Sequence, residues 1–468
     1  MRNRIFSYIF IFMLLVPSAG VLIFGPAQPA ANETLASVPS LTESDGSFNW
    51  EIADDLTDWW ADRFALRQEM VTAERRLTAL VFGESGEDDV ILGKDGWLFY
   101  EETLDDYQAV NTMTEREVWA AARSLWLMQE YCGEKGITFL FTVAPNKNSL
   151  YGEYMPARYA EGDAAARNIS RLAEALEELD VFYVDLYAVL SAEDEVLYRK
   201  GDSHWNTRGA SLAGDTVLEA LGVEFEPFYD GSWSTVYEEI GDLYEMVYPT
   251  GTELDEDQSY DRAFTFTYVN AIRSTGDNRI LTVSEGKSGS LVMYRDSFGN
   301  TLHTYLAEAF GSALFSRITP YDFTLLDSQA ADTVIVELAE RSLAWLNTLA
   351  PVMAAPERTL GEIPGADGKA EAIQDVSGTV EVTLSESASL TGYVEVTGTL
   401  SEGDLDADSP IYLQCGSVIY EATPAGEGEA PFTAYLSSDV LSGEDGGMSV
   451  LVIQNGQLVR RQVSYISG

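Results

Sequence analysis

The chain has 468 residues, and its 28 Lys and Arg against 76 Asp and Glu give a formal net charge of −48. With 46% hydrophobic and 11% aromatic residues it can bury more than one core, which argues against a disordered acidic chain. The charge offers no basic stripe to phosphates, so we expect no nucleic-acid partner, and two Cys with two His argue against a zinc site. We therefore predict no metal and no cofactor.

The N-terminus predicts export. Arg2 and Arg4 precede an apolar run over residues 5–24, which at 1.5 Å per residue spans about 30 Å, the thickness of a bilayer core. Because the positive flank stays inside, everything that follows is expected to be extracytoplasmic. We predict a signal-anchor transmembrane helix over 1–24. The alternative is a signal peptide cleaved at the small residues of 27–31, which would give a secreted protein.

Periodicity divides the rest of the chain into a stalk over 25–48, a main domain over 49–350, a Pro/Gly/Ala linker over 351–368 and a period-two region over 369–468. The predicted helices of the main domain cover 50–82, 114–131, 163–179, 207–221, 298–310 and 340–349. The predicted strands cover 137–144, 181–186, 291–294 and 333–338. Repeated β–α alternation predicts a three-layer α/β fold with a parallel sheet.

Two further regions are predicted to be β-rich. Residues 223–290, with many aromatics and short alternating stretches, indicate an insertion on the main domain. Residues 369–468 predict an all-β sandwich, with strands at 379–384, 390–396, 411–415 and 449–453. Its few aromatic side chains make it a candidate carbohydrate-binding domain.

Two short segments have residues suited to catalysis: Gly201-Asp-Ser-His-Trp-Asn206, ahead of a helix, and Tyr294-Arg-Asp-Ser-Phe-Gly299, where a buried strand turns into a helix. Ligands of parallel α/β sheets collect at the carboxyl ends of strands. A serine hydroxyl becomes a nucleophile when imidazole takes its proton, and a nearby carboxylate orients that imidazole. Ser297, His204 and Asp202 are therefore the candidate nucleophile, base and orienting acid.

Each segment also has a structural interpretation. Asp-Ser at a strand-to-helix turn is often an N-cap, and Asp-x-His beside an aromatic is common on loops. His303, opposite the apolar stripe of its helix, is expected at the surface or behind the site. The two segments together favour a serine-hydrolase-like site over either structural interpretation alone.

These motifs resemble the alginate O-acetyltransferase family of SGNH-hydrolase-like proteins, especially the bacterial branch called DHHW. The resemblance covers roughly residues 50–350. It depends on Gly93–Tyr100 (GKDGWLFY), Ala144–Asn148 (APNKN), Asp202–Trp205 (DSHW) and Arg295–Gly299 (RDSFG). It implies an SGNH-like, flavodoxin-like fold, with Ser297 as nucleophile, His204 as base and Asp202 as orienting acid. It also implies acetyl transfer to a polysaccharide hydroxyl, with a membrane-bound O-acyltransferase as the acetyl donor.

Several polar side chains are candidates to hold the oxyanion or the substrate. Asn146, Asn148 and Asn206 are candidate oxyanion donors, although Asn206 is equally suited to cap the next helix. Arg295 and Lys147 are also candidates: Arg295 could bind an anionic sugar or the oxyanion, although it is equally suited to pair with a carboxylate, and Lys147 could contact the substrate. The acidic surface favours a neutral acceptor unless such cations line the cleft.

The sequence therefore predicts a membrane-anchored extracytoplasmic O-acetyltransferase acting on an exopolysaccharide or cell-wall glycan through an acetyl-enzyme. One alternative is an acetylesterase with the same residues, in which water accepts the acetyl group. The other is a catalytically silent glycan-binding subunit of a polysaccharide export or modification complex.

Overall fold

The computed structural model describes residues 7–8, 19–27, 35–43, 45–366, 368–441 and 447–466. Most of the predicted membrane segment over 1–24 lies outside these residues. Among the helices that the structure does describe, none is long and apolar enough to cross a membrane.

The predicted lead-in helix over 50–82 is two helices, α1 (Ile52–Ala61) and α2 (Arg67–Phe82). Leu66, at the start of α2, has φ 61°, a left-handed conformation that breaks the helical path between them. Gly83, with φ 70°, ends α2.

The helices of the main domain are α3 (Leu104–Gln108), α4 (Glu115–Glu134), α5 (Lys147–Leu150), α6 (Asn168–Glu178), α7 (Leu186–Ser191), α8 (Thr207–Leu221), α9 (Asp242–Val247), α10 (Gly299–Ala309), α11 (Leu325–Gln329) and a 3₁₀ helix over Glu340–Asn347. The strands are β1 (Val90–Leu92), β2 (Leu98–Tyr100), β3 (Thr138–Ala144), β4 (Tyr183–Val184), β5 (Trp233–Val236), β6 (Asp257–Tyr260), β7 (Thr267–Tyr268), β8 (Arg279–Val283), β9 (Ser290–Tyr294), β10 (Ser312–Ser316) and β11 (Thr333–Ala339).

The central sheet has the order β4-β3-β11-β9-β10-β8-β7. Its first five strands are parallel, while β8 and β7 extend it antiparallel. The side chains of β3 alternate between two cores: Phe139 and Phe141 pack with α4 and α6 on one face, and Leu140 packs with α8 and α10 on the other. This double burial explains the continuous apolar run, and the predicted three-layer α/β fold is confirmed.

Local signals placed several elements accurately. Thr114 and Glu117 form the predicted capping box at the start of α4. Helix α8 has the predicted bounds. The sequence missed β10, and it assigned β7 and β8 to the insertion although both pair within the central sheet.

The C-terminal domain has the strands β12 (Glu357–Arg358), β13 (Gln374–Glu386), β14 (Tyr393–Leu400), β15 (Ile411–Cys415), β16 (Val418–Ala422), β17 (Ala430–Ser437), β18 (Met448–Gln454) and β19 (Gln457–Ile466), with helix α12 (Ser438–Leu441) after β17. The sequence correctly predicted a β-rich domain. The strands form one eight-stranded sheet in the order β12-β16-β15-β18-β19-β13-β14-β17, rather than the two facing sheets of a sandwich.

This sheet closes on itself. Thr423 and Thr433 exchange backbone hydrogen bonds of 2.8 and 2.9 Å and join the end of β16 to β17. Apolar side chains from β13 through β19 then share one interior. A period-two pattern shows that one face of each strand is buried. A closed sheet and a sandwich both bury that face, so the pattern did not distinguish them and the predicted sandwich was wrong.

A buried ion-pair cluster joins the two domains. Glu421 on β16 is 1% exposed and accepts from Arg123 of α4 at 2.7 and 2.9 Å. Arg358 on β12 donates to the same carboxylate at 2.7 Å and pairs with Glu130 of α4. The closed sheet is thereby attached to the helix layer of the main domain.

Candidate active site

The candidate nucleophile Ser297 lies in the turn between β9 and α10, at the carboxyl edge of the parallel strands. Asp296 holds this turn: its Oδ1 accepts the Phe298 N–H at 2.9 Å, and its Oδ2 accepts the Ala339 N–H at 2.6 Å. The Asp296 carboxylate, rather than the Ser297 hydroxyl, therefore satisfies the free N–H at the start of the helix. The Ser297 side chain is half-buried.

A buried carboxyl group and a buried guanidinium support the turn from below. Glu337 of β11 is fully buried and accepts the Asp296 N–H at 3.2 Å. Burial, together with the charge of Asp296, raises the pKa of Glu337 well above its ordinary value, so this carboxyl group is neutral. Arg295 donates to Asn300 Oδ1 at 2.6 Å and to the Thr275 carbonyl at 2.8 Å.

Arg295 thus stabilises the turn through these hydrogen bonds. It is 3% exposed, and burial lowers its pKa to about 10. Gly299 is required beside it, since a Cβ there would come within 2.6 Å of Arg295 Cδ. The partners of Arg295 are carbonyl and amide oxygens of the protein rather than the carboxylate that the sequence suggested, and its role toward the substrate or the oxyanion stays a prediction.

Asp202 and His204 lie in a hairpin between α7 and α8, closed by the bridge between Tyr198 and Trp205. Lys147 fixes this hairpin. Its Nζ donates to the carbonyls of Leu98 and Lys200 at 2.7 Å and of Asp202 at 2.8 Å.

Lys147 is 4% exposed, and burial lowers its pKa to about 7. The three carbonyl acceptors use all three N–H groups of an ammonium ion. Lys147 is therefore a clamp between β2 and the hairpin rather than a substrate contact.

Asp202 and His204 form the predicted acid–imidazole pair. His204 Nδ1 lies 2.8 Å from Asp202 Oδ1, which also accepts the His204 backbone N–H at 2.9 Å. Asp202 Oδ2 lies 2.6 Å from Arg199 Nη2. Burial opposes ionisation, yet the His204 hydrogen bond and the Arg199 charge hold the pKa of Asp202 well below its ordinary value.

A second carboxylate approaches the same imidazole nitrogen. Asp242 Oδ2 lies 3.4 Å from His204 Nδ1 and accepts the Ser203 hydroxyl at 2.6 Å. Gly241 makes this approach feasible, because a Cβ there would lie 2.2 Å from the Gly201 carbonyl oxygen. Burial alone would lower the pKa of His204, but the hydrogen bonds and charges of Asp202 and Asp242 outweigh it and raise the pKa to about 9.

Phe298 connects the two halves of the site. Its ring centroid lies 4.9 Å from that of His204 and 5.0 Å from that of Trp205. Because Nδ1 faces the two carboxylates, Nε2 is the basic nitrogen when His204 is neutral. Nε2 is buried and has no hydrogen-bond partner among the described residues. No hydrogen bond joins it to Ser297 in this structure; such bonds often tighten only when substrate is bound.

The sequence analysis missed Arg341, which follows β11 by two residues. Its Nη2 donates to Ser297 Oγ at 3.5 Å, the one hydrogen bond of that hydroxyl within the described ranges. The strand-end rule that selected Ser297 applies equally to the end of β11, so this signal was present. Asp242 and Arg199 carried no comparable signal, because their roles depend on packing against the hairpin.

The three asparagine candidates have partners within the protein. Asn206 caps α8, with Oδ1 accepting the Gly209 N–H at 2.9 Å. The amide groups of the other two donate to Asp106 (Asn146, 3.0 Å) and to the Thr103 hydroxyl (Asn148, 2.8 Å). None of the three hydrogen-bonds Ser297 or His204 in the part of the chain that the structure describes.

His303 is buried rather than at the surface. Its Nδ1 lies 2.9 Å from the Asn300 carbonyl, and its Nε2 lies 3.1 Å from the Tyr268 hydroxyl. Burial lowers its pKa to about 4, so the imidazole is neutral. Of the two positions expected for His303, the structure excludes the surface one, because β7 and β8, assigned to the insertion, extend the sheet on that side.

Among the described residues, Asp202, His204 and Asp242 form one group whose candidate ligand atoms lie within 4.8 Å of one another. The Asp202 oxygens already contact His204 and the Arg199 guanidinium. A cation here would have to displace that guanidinium, so the arrangement fits an oriented general base better than a metal-ligand set.

A cavity of about 700 Å³ adjoins the hairpin. Its lining includes Gly201 and Gly241, which flank the acid–imidazole pair, but not Ser297. The ionisable groups that line it are Lys200 and the four acids Asp95, Glu253, Asp255 and Glu256. The cavity is therefore acidic, with Tyr244 and Tyr248 as aromatic surfaces.

Comparison with known proteins finds a family model that matches part of this chain. Residues 90–271 match the family described as SGNH hydrolase-like domain, acetyltransferase AlgX, a range that includes Asp202 and His204 and ends before Ser297. The match confirms the family resemblance that the motifs predicted.

Two curated relatives are each called probable alginate O-acetylase AlgJ. The protein from Pseudomonas aeruginosa is 25% identical over 201 residues, 42% of this chain and 48% of that protein. The protein from Pseudomonas syringae pv. tomato is 27% identical over 179 residues, which cover 36% of this chain and 42% of that protein. The chain thus spans about half the length of these relatives. Among solved structures, Bacillus cereus PatB1 aligns with a TM-score of 0.44 and 16% identity, over 55% of this chain and 97% of that chain.

Proposed function

We propose that this protein is an extracytoplasmic O-acetyltransferase that modifies a polysaccharide, because residues 90–271 match the family described as SGNH hydrolase-like domain, acetyltransferase AlgX. The observation that carries the proposal is an oriented imidazole, His204 held by Asp202 at 2.8 Å, whose ring centroid lies 4.9 Å from that of Phe298, the residue that follows the strand-end serine Ser297.

In the proposed first step, Ser297 Oγ attacks the carbonyl carbon of the acetyl donor while its proton passes to His204 Nε2. Collapse of the tetrahedral intermediate breaks the bond to the leaving group, which takes that proton. In the second step a sugar hydroxyl gives its proton to His204 and attacks the acetyl-enzyme, which releases the acetylated sugar and the free Ser297 hydroxyl. Asp202 stabilises the imidazolium in both steps.

We propose a neutral glycan as acceptor. The cavity beside the hairpin carries four carboxylates against the single ammonium of Lys200 and would repel an anionic polymer. Its tyrosines Tyr244 and Tyr248 offer flat surfaces on which sugar rings can stack. The acetyl donor proposed from the family resemblance is a membrane-bound O-acyltransferase, and the proposed location is the outer face of the membrane, reached through the N-terminal apolar run.

The test is intact-mass analysis of the full chain mixed with an aryl acetate, with and without glucan, chitin or uronate oligosaccharides. We expect an acetyl adduct that is absent in Ser297→Ala. Ser203→Ala is the matched control, since the Ser203 hydroxyl lies 3.1 Å from His204 Nδ1 and is the rival nucleophile. The control is expected to keep the adduct.

The products decide between the alternatives. Acetylated neutral sugar supports the transferase, whereas free acetate in the presence of every sugar indicates an acetylesterase. A folded wild-type protein with no adduct and no turnover would overturn Ser297 as a nucleophile that acts without a partner protein, and would favour a glycan-binding subunit.

A further inference from the structure

The guanidinium of Arg341 is held directly above the nucleophile turn. The side chain is 14% exposed, and its Cζ lies 5.6 Å from the centroid of the Phe298 ring and 5.7 Å from that of Tyr100. These distances are in the range of cation–π contacts, which restrain the guanidinium. Its Nη2 lies 3.5 Å from Ser297 Oγ, the atom proposed to form the new bond.

The positive charge of Arg341 is only weakly compensated. Its one ion-pair partner within the described residues, Glu102, lies 3.6 Å from Nε and is 59% exposed. An exposed pair at this distance contributes little. Arg199 differs, because its guanidinium lies 2.6 Å from the buried Asp202 carboxylate. Arg295, two residues from Ser297, is held by Asn300 Oδ1 and the Thr275 carbonyl. Arg341, whose Nη2 already contacts Ser297 Oγ, is therefore well placed to bind a new negative charge there.

On the basis of the proposed acetyl transfer, we propose that Arg341 is a catalytic residue that donates a hydrogen bond to the acetyl carbonyl oxygen as it becomes an oxyanion. When Ser297 Oγ bonds to the carbonyl carbon, the π electrons move to that oxygen, and the serine proton passes to His204. The oxygen is then two bonds from an atom that already lies within 3.5 Å of Nη2. When the double bond re-forms, the leaving group departs with the proton from His204.

A preorganised donor of this kind raises the rate of the chemical step rather than the affinity for substrate. We expect Arg341→Ala to slow acetylation of Ser297 by aryl acetate by about 10²–10³-fold, the usual loss for one oxyanion donor. KM should change little, and added guanidinium ion should restore part of the rate. Arg460→Met, which removes an arginine of the C-terminal sheet that pairs with Asp375, is the matched control and should behave as wild type.

The assay uses the full chain and follows the acetyl-enzyme by rapid-quench mass spectrometry, with the thermal transition of each variant measured in parallel. Equal acetylation rates in Arg341→Ala and wild type would overturn the proposal. So would a loss confined to uronate acceptors, because Arg341 would then bind the acceptor carboxylate. Lack of guanidinium rescue in a folded Arg341→Ala would indicate a structural role instead. If wild type itself forms no acetyl-enzyme, the proposed function fails first, and the two failures are thereby distinguished.

Discussion

The second carboxylate beside His204 leads to a prediction about pH dependence. Asp242 Oδ2 lies 3.4 Å from His204 Nδ1, and Asp242 is 39% exposed. Two unit charges at this distance attract by about 1.2 kcal/mol even at the dielectric constant of water, which is a lower bound for a partly buried pair. Since about 1.36 kcal/mol moves a pKa by one, Asp242→Asn should lower the pKa of His204 by at least about 0.9.

The direction in which the pH profile shifts follows from the protonation state of His204 that catalysis needs. His204, with its pKa raised to about 9, is protonated at neutral pH, and the base role proposed for it requires the loss of that proton. The acid limb of kcat/KM should therefore lie near pH 9 in wild type and near pH 8 or lower in Asp242→Asn. At pH 7 the variant would hold about eight times more neutral imidazole.

The measurement is kcat/KM for aryl acetate hydrolysis between pH 5.5 and 10, with the fold checked by circular dichroism at each end. Ser203→Ala is the matched control, because it removes a hydroxyl that contacts both His204 and Asp242 but leaves the charge in place. Its acid limb should stay near that of wild type. If the protein variant Asp242→Asn is folded but the midpoint pH of its acid limb is unchanged or higher than in wild type, the electrostatic reasoning is refuted.

Three further changes test structural assignments. Asn206→Ala should lower the free energy of unfolding by about 1 kcal/mol through loss of the helix cap, while the rate of aryl acetate hydrolysis stays nearly unchanged. A loss of rate in a folded variant would instead support Asn206 as an oxyanion donor. Glu421→Gln should destabilise the protein by about 3–5 kcal/mol in denaturant unfolding, because it leaves Arg123 and Arg358 without their shared buried carboxylate; an unchanged midpoint would contradict this. Gly241→Ala should abolish or greatly slow acetyl transfer, since its Cβ would meet the Gly201 carbonyl at 2.2 Å; wild-type kinetics would show that the segment shifts freely.

The sequence by itself determined the elements whose signals are local. The capping box at Thr114 and the unbroken apolar run of β3 identified a helix and a doubly buried strand, because capping and burial on both faces leave their marks within a few residues. Ser297 and the Asp202–His204 pair were selected as candidates for the same reason, since a strand-end turn and an i, i+2 pair are visible in short motifs.

Only the tertiary structure decided which distant groups lie beside the candidate residues and how the strands pair. Asp242 reaches His204 and Arg341 reaches Ser297 across intervals of 38 and 44 residues, measured by their positions in the chain. The parallel pairing of β13 with β19 likewise joins the two ends of the C-terminal domain in one sheet. Such contacts depend on the order of the strands in the sheet and on how closely two backbones approach, as at Gly241. The periodicity of one segment specifies neither the strand order nor the backbone separation.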